Sequence, residues 1–243
     1  MSEFRWLAFD TSTDVLSLAV ARGDRVWTQT LPGGAQSSSG LIPAVLNMLA
    51  EADMPLASLT AIVFGRGPGS FTGLRTACAV AQGLAFGADI PVLPVDTLLA
   101  VAEEARWQRL QAGAADADVS VLALLDARMD EVYSAVYRWS SGAWAVLSPL
   151  QVCPPERVAV PTDAEVLLAG NVFDAYGERL PVSHRVQALP TASALLRLAP
   201  ALWASGQAVP ADEAMPLYIR DKVAQTTAER EAHKAMQPLP GQA

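Results

Sequence analysis

Cysteine and histidine are scarce in this sequence, and the few that are present lie far apart. The 243 residues include two cysteines, Cys78 and Cys153, and two histidines, His184 and His233. This spacing favours neither a disulfide framework nor a metal-binding pair, and Cys78 is expected to be a small buried apolar residue. No His-Glu-x2-His sequence is present to hold zinc beside a general base. The sequence therefore predicts no metal site and suits a reducing compartment.

Positive charge and long apolar runs are also lacking. The formal net charge is −8, so there is no basic surplus to displace counterions from a nucleic-acid backbone. No apolar run approaches the length of a membrane span, and the first five residues are not a basic segment followed by an apolar one. The sequence predicts a cytoplasmic protein that binds no membrane and meets nucleic acid only through a partner. Hydrophobic residues make up 51% of the chain, which predicts a folded globular protein.

The segment from Gly65 to Arg75 is the most informative part of what is present. It follows an apolar, strand-like run at residues 61–64 and precedes a helical pattern that continues to Gly87. Three glycines and a proline in five residues predict a tight, rigid turn between the strand and the helix. Ser70 is then placed to cap the helix by accepting a hydrogen bond from a free backbone N–H.

Small residues recur at every fourth position of the predicted helix, at Gly73, Ala77, Ala81 and Ala85. They form a ridge with almost no side chain, which would allow another helix to approach unusually closely. The sequence predicts that this ridge faces outward, toward a partner. A tryptophan at Gly73 or Ala77 would then block the partner and leave the fold intact.

The same glycines could indicate a phosphate-binding loop, but both common loop types fail in detail. No lysine lies between residues 65 and 87 to bind terminal phosphates. Gly65, Gly67 and Gly69 are spaced two apart, which does not match Gly-x-Gly-x-x-Gly, and Pro68 removes a backbone donor. The helix N-terminus could still attract an anion. A structural turn ahead of a packing helix accounts better for this segment.

The two halves of the sequence repeat one order of elements. Each runs as three strands, helix, strand, helix, strand and helix, with an acidic turn between its first two strands. The turns extend from Asp10 to Asp14 and from Asp126 to Asp130. This order predicts an α/β protein in which each half forms a lobe with a mixed central sheet flanked by helices.

The lobe boundary is expected in a stretch rich in alanine, glycine and aspartate at residues 112–118. The predicted division is an N-terminal lobe over residues 1–111 that carries the partner-binding helices and a C-terminal lobe over residues 112–222. Residues 223–243 are polar and then proline-rich, which predicts a short helix and a loose tail.

A duplicated unit of this kind resembles the actin, hexokinase and Hsp70-type folds, which are ribonuclease H-like. The chain also carries a set of short motifs in unbroken order: Asp10-Thr11-Ser12-Thr13, the Gly65–Arg75 segment, Ala81-Gln82-Gly83-Leu84-Ala85, residues 125–133, Ala169-Gly170-Asn171 and Pro216-Leu217-Tyr218-Ile219-Arg220. From about residue 4 to residue 230 these motifs resemble the TsaB (YeaZ) family. That family is the accessory subunit of the bacterial machinery that makes tRNA threonylcarbamoyladenosine, and it has been labelled glycoprotease-like.

The resemblance implies a partner role. The family is similar to TsaD, which transfers a threonylcarbamoyl group to the adenosine beside the anticodon of tRNAs that read codons beginning with A. TsaB is its non-catalytic relative and binds TsaD through its first two helices, here Leu41–Ala52 and Ser70–Phe86. The implied interface residues are Leu41, Val45, Met48, Leu49, Ser70, Gly73, Thr76, Ala77, Val80, Ala81 and Leu84. The ATPase TsaE joins the complex, tRNA is reached only through it, and the free chain is expected to form a homodimer.

The fold that the resemblance implies holds nucleotide phosphates between two hairpin turns, and an acidic residue in the first turn orients Mg²⁺. The candidate residues for this role are Asp10, Thr11, Ser12, Thr13, Gly170 and Asn171. The same residue types also stabilise tight turns without any ligand. The second turn, with Asp126 and Asp130, would repel phosphate unless a cation intervened. No cofactor is firmly predicted; ATP or ADP with magnesium, bound weakly or at a subunit junction, is the one that the resemblance implies.

The alternative function is a stand-alone enzyme of the same fold, either an ATP-dependent small-molecule kinase or a peptidase. A kinase would need a carboxylate base near the cleft between the lobes, and Asp96, between a strand and a helix, is the candidate. Asp96 or Thr97 is more simply explained as a helix cap. The chain also has Gln36-Ser37-Ser38 where relatives often have Gln-His-Ser, and it lacks the His-x3-His metal pair of the catalytic relatives. No catalytic residue is therefore assigned.

Overall fold

The computed structural model describes residues 4–161 and 166–219. The first half forms a five-stranded sheet of order β3-β2-β1-β4-β5, in which β1–β3 are antiparallel and β4 and β5 run parallel to β1. Its strands are β1 (Arg5–Asp10), β2 (Val15–Arg22), β3 (Arg25–Pro32), β4 (Ala61–Gly67) and β5 (Val92–Asp96). Its helices are α1 (Ser37–Glu51), α2 (Phe71–Ala88) and α3 (Thr97–Gln111).

The second half repeats this topology. Its sheet has the order β11-β10-β6-β7-β8, with β9 also paired to β7, and β10 and β11 run parallel to β6. The strands are β6 (Val119–Arg128), β7 (Glu131–Ser140), β8 (Ala143–Val146), β9 (Gln151–Cys153), β10 (Val166–Gly170) and β11 (Arg185–Gln187). The helices among its described residues are α4 (Phe173–Tyr176) and α5 (Ala192–Ala204). The predicted duplicated, actin-like α/β fold is confirmed.

Helices cover both faces of the first sheet. On β1, Leu7 and Phe9 point toward α1 and α2, whereas Trp6 and Ala8 point toward α5, because alternate residues of a strand face opposite sides. Helix α3 lies mainly against the second sheet, where its Val101 packs in that sheet's core. The last helix of the second half thus packs on the sheet of the first half.

Successive residues of β7 are buried on opposite faces of the second sheet. Val132 and Val136 of β7 pack on one face, and Tyr133 and Tyr137 pack on the other. Helix α4, which takes the place of the second helix in the repeated order, has only four residues. The predicted division at residues 111 and 112 stays a prediction, and the predicted helix and tail at 223–243 lie outside the described residues.

The outward orientation predicted for the ridge of α2 is wrong. Gly73, Ala77, Ala81 and Ala85 are buried, and Ala77 and Ala81 have no exposed surface. They lie against β1 and β4, where the missing side chains let the helix approach the sheet closely. An ideal Cβ on Gly73 would lie 1.8 Å from the carbonyl oxygen of Thr11. A tryptophan at Gly73 or Ala77 would therefore disrupt the first lobe and could not report on a partner.

Candidate partner-binding face and inter-lobe cleft

The solvent side of α1 and α2 carries a second apolar stripe. On α1 this stripe contains Ile42 and Leu46, the latter 53% exposed, and on α2 it ends at Phe86, which is 81% exposed. Between them α2 presents the small exposed residues Ala79 and Gly83. We call the surface formed by Ile42, Leu46, Ala79, Gly83 and Phe86 the outer face. Surface helices of monomeric proteins usually place polar residues on this side, so this surface is unusual.

The outer face is also poor in charge. Glu51 and Arg75 are the only charged residues within α1 and α2. Apolar side chains, small residues and few charges are typical of helices that pack against another protein surface. No helix in the described part of the chain is long and apolar enough to cross a bilayer.

Most residues predicted for the partner interface lie in the core. Leu41, Val45, Met48 and Leu49 of α1 pack beneath the helix, as the ridge residues of α2 do. The remaining four are accessible to some degree: Ser70 is exposed, and Thr76, Val80 and Leu84 are half-buried. Most of the predicted interface residues are therefore not accessible to a partner, and the assignment of α1 and α2 to the interface stays a prediction. The signal it missed is the second stripe itself, Ile42 and Leu46 at a spacing of four.

Ser70 precedes α2 as predicted, but its side chain makes no capping hydrogen bond among the described residues. Its backbone N–H donates to the carbonyl of Ser12 at 2.7 Å instead. Gly69 approaches the same residue so closely that an ideal Cβ would lie 2.7 Å from the Ser12 carbonyl oxygen. The glycine-rich segment therefore docks the start of α2 onto the first hairpin turn.

Asp10 lies inside this junction, and the expectation that it faces a magnesium–phosphate site is contradicted. Its side chain is fully buried. Oδ1 accepts hydrogen bonds from the backbone N–H and the hydroxyl of Ser12, at 2.8 and 2.6 Å. Oδ2 has no hydrogen-bond partner within the described part of the chain and lies against Gly65, where an ideal Cβ would come within 1.7 Å of it. Thr11 is equally buried and donates its hydroxyl to the carbonyl of Gly73 at 2.7 Å.

Burial raises the pKa of Asp10 to about 6, although the hydrogen bonds from Ser12 oppose the shift. The folded protein therefore holds this proton more tightly than the unfolded chain does. The stabilisation is fully present below the ordinary pKa of 3.8 and is lost as the pH rises through about 6. The difference is worth about 3 kcal/mol at neutral pH.

An Asp10→Asn variant removes this penalty because the amide is neutral at every pH and can keep the bonds from Ser12. We expect the variant to match the wild type near pH 4 and to exceed its free energy of unfolding by about 3 kcal/mol at pH 7. Urea denaturation at the two pH values measures the difference. A variant that is less stable at pH 7 would mean that the wild-type carboxylate is charged and paired there.

A cleft of about 490 Å³ lies between the two lobes, bounded by the first hairpin turn, the second hairpin turn and the start of α2. Arg128 of the second turn bridges its mouth. The Arg128 guanidinium lies 3.1 Å from Asp14 of the first turn and 3.2 Å from Asp126. The cation between the two acidic turns is therefore the guanidinium of Arg128, a side chain of the protein itself.

Gly170 and Asn171, the predicted adenosine-side residues, support the second turn. Gly170 has a φ of +157° and is buried, and an ideal Cβ on it would lie 1.8 Å from the Leu124 carbonyl oxygen. Asn171 accepts a hydrogen bond from the Asp126 backbone N–H at 3.1 Å through Oδ1. Asn171 also lines the cleft, together with Thr13. Nucleotide binding by the chain stays a prediction.

Asp96, the candidate base of the alternative kinase, is held in an ion pair. Its Oδ1 lies 2.6 Å from Nε of Arg66. It occupies the position before α3, as predicted for a cap, but its side chain makes no capping bond within the described residues. Thr97 instead accepts a hydrogen bond from the Gly67 backbone N–H at 3.0 Å. In the described ranges, no three histidine, cysteine or acidic side chains group as metal ligands would.

Comparison with known proteins shows the family of this chain. The family model described as TsaD, tRNA N6-adenosine threonylcarbamoyltransferase, matches residues 33–215. The tRNA threonylcarbamoyladenosine biosynthesis protein TsaB of Haemophilus influenzae is 34% identical over 235 residues, which cover 92% of this chain and 96% of the relative. The chain belongs to the TsaB family. The Escherichia coli TsaB protein is also 34% identical, over 90% of this chain and 96% of its own length.

A solved TsaB-family structure agrees with the fold described above. The structure of YeaZ from Pseudomonas aeruginosa matches with a TM-score of 0.79 and 41% identity, covering 88% of this chain and 99% of the other. As a TsaB homologue, the chain takes part in threonylcarbamoyladenosine modification of tRNA. The resemblance drawn from the motifs is confirmed.

Proposed function

We propose that this chain is a non-catalytic accessory subunit that binds TsaD through the outer face of α1 and α2 and favours the active arrangement of that transferase. The observation that carries the proposal is the exposure of Leu46 and Phe86 on two neighbouring helices that contain only two charged residues. Another apolar helical surface that packs against these helices would remove their exposed apolar area from water. The small residues Ala79 and Gly83 would let that surface approach closely.

The inter-lobe residues support a non-catalytic role. Asp10 is sealed from solvent, Asp96 is paired with Arg66, and Arg128 bridges the acidic turns. None of these arrangements presents a free carboxylate base to a substrate in the cleft. In the proposed complex, TsaE is a further member and tRNA is bound through the assembly, because the net charge of −8 disfavours direct binding to phosphates. In the absence of TsaD the same outer face would pair two copies of the chain.

The proposal is tested by one substitution made at two exposed alanines. Ala79 lies on the outer face, and Ala201 lies on α5, which covers the opposite face of the first sheet. We expect Ala79→Trp to weaken binding to TsaD by about 100-fold, because the indole would hold the two surfaces apart. Ala201→Trp should bind as the wild type does. Binding is measured by titration calorimetry with both proteins purified.

Circular dichroism and thermal unfolding should show both variants folded, since neither alanine is buried. Cells that depend on the Ala79→Trp variant should also lose threonylcarbamoyladenosine from their tRNA, whereas cells with Ala201→Trp should keep it. If a folded Ala79→Trp variant binds TsaD with wild-type affinity, the outer face is not the interface. If the wild-type chain does not bind TsaD at all, the accessory role itself is refuted.

A further inference from the structure

Arg75 is the only cation on α1 and α2, and its orientation is fixed by two contacts. Its guanidinium carbon lies 3.8 Å from the centre of the Phe71 ring. Its Nε donates a hydrogen bond to the hydroxyl of Tyr218 at 3.2 Å. The rings of Phe71 and Tyr218 themselves lie 5.2 Å apart. The guanidinium is therefore held over the Phe71 ring and beside Tyr218, at the edge of the outer face.

In the described part of the chain, the Nη groups of Arg75 form no hydrogen bond. Within residues 4–161 and 166–219, no carboxylate lies within ion-pair distance of Arg75. Arg75 is exposed and lines a shallow groove with Thr76, Ala79 and Val80, so it borders the surface proposed to bind TsaD. A planar guanidinium with unoccupied Nη groups matches the two oxygens of a carboxylate or the oxygens of a phosphate.

We infer that Arg75 is the specificity anchor of the outer face and that it binds a carboxylate side chain of the partner, through Nη1 and Nη2. This inference rests on the proposed function. A protein carboxylate is favoured over an RNA phosphate because the described residues that line the groove around Arg75 include no second cation and because the whole chain is acidic. The surrounding apolar surface excludes water when the partner docks, which strengthens the ion pair.

The anchor gives the interface direction and register. An apolar helical face with few polar groups can bind another such face in more than one register, because apolar contacts have no fixed direction. A single oriented charge removes that freedom, because only one register places a partner carboxylate beside it. The proposal therefore predicts that the partner surface is apolar with an aspartate or glutamate at one edge.

Substitutions of Arg75 test this. Arg75→Met keeps most of the aliphatic volume and the contact with Phe71 but removes the charge, and it should raise the Kd for TsaD by about 30-fold or more. Arg75→Lys keeps the charge without the planar fork and should give an intermediate Kd. The control is Arg25→Met, which makes the same change in net charge at the exposed β2–β3 turn and should leave the Kd unchanged. All titrations use full-length chains and are run first without RNA and then with tRNA present.

Reversing the charge at Arg75 identifies the acidic residue of TsaD that Arg75 is proposed to bind. Arg75→Glu should bind TsaD most weakly, and one acidic surface residue of TsaD changed to arginine should restore binding to Arg75→Glu while weakening binding to the wild type. An Arg75→Met variant that binds as tightly as the wild type would overturn the anchor, and if Ala79→Trp still abolishes binding the proposed function stands. Loss of affinity that is seen only when tRNA is present would assign Arg75 to phosphate and also overturn the inference.

Discussion

A Glu103→Ala variant should lose about 3–5 kcal/mol of its free energy of unfolding, because Glu103 is a buried acid shared by three structural elements. Its side chain is 2% exposed. It accepts hydrogen bonds from Arg106 of α3 at 3.0 and 3.1 Å, from Arg197 of α5 at 2.9 Å and from the indole of Trp144 of β8 at 3.0 Å. Without the carboxylate, the half-buried guanidinium groups of Arg106 and Arg197 each lose one anionic partner. The indole N–H of Trp144 also loses its hydrogen-bond acceptor.

The Glu103→Ala substitution should also change the temperature and the width of the unfolding transition. Helix α3 lies mainly against the second sheet and α5 covers the first, so the Glu103 cluster fastens the two lobes to each other. The melting temperature should fall by roughly 10 °C, and the variant should unfold over a broader range than the wild type. Differential scanning calorimetry measures both quantities.

Glu51→Ala is the matched control, since Glu51 is an exposed glutamate in α1, and it should shift stability by less than about 0.5 kcal/mol. Glu103→Gln should be intermediate, because the amide oxygen can still accept some of the bonds. A Glu103→Ala variant as stable as Glu51→Ala would show that the buried ion pairs contribute nothing beyond an apolar contact.

Gly73→Ala should destabilise the protein by about 3 kcal/mol, although alanine is normally the better helix former. The added methyl would lie 1.8 Å from the Thr11 carbonyl oxygen, which belongs to backbone that cannot rotate away. The helix or the first hairpin turn must shift, and the bond from the Thr11 hydroxyl to the Gly73 carbonyl would be strained. Chemical denaturation of the purified variant measures the effect.

Gly83 provides the control on the same helix. An ideal Cβ on Gly83 meets no atom of the described residues within 4 Å. Gly83→Ala should therefore raise stability by about 0.5–1 kcal/mol through the helix preference of alanine alone. Equal effects at the two glycines would contradict the close docking of α2 onto the first turn.

The sequence by itself determined the order and type of most elements. The second strand predicted for the second half is present as β7, where Val132 and Val136 are buried on one face and Tyr133 and Ala135 on the other. The repeated order of elements in the two halves likewise fixed the duplicated fold, because the topology of such units has few alternatives. These inferences succeed because they depend on the local period of apolar residues.

The tertiary structure decided which side of each helix meets the sheet. Helix α1 has apolar residues on two stripes, so periodicity could not say whether Leu41 and Val45 or Ile42 and Leu46 would be buried. Contact with β2 and with α2 resolved this in favour of the first pair, which leaves the second pair exposed. The small-residue ridge of α2 was recognised correctly as a close-packing surface, but its neighbour is the chain's own sheet.

The burial of Asp10 and the placement of α5 also depended on the tertiary structure. The pKa of Asp10 is raised because Gly65, fifty-five positions later in the chain, comes close enough to exclude water from its carboxyl group. Helix α5 covers the first sheet although it follows the strands of the second. Neither fact is local in sequence, since each is set by the distance between segments that only the folded chain brings together.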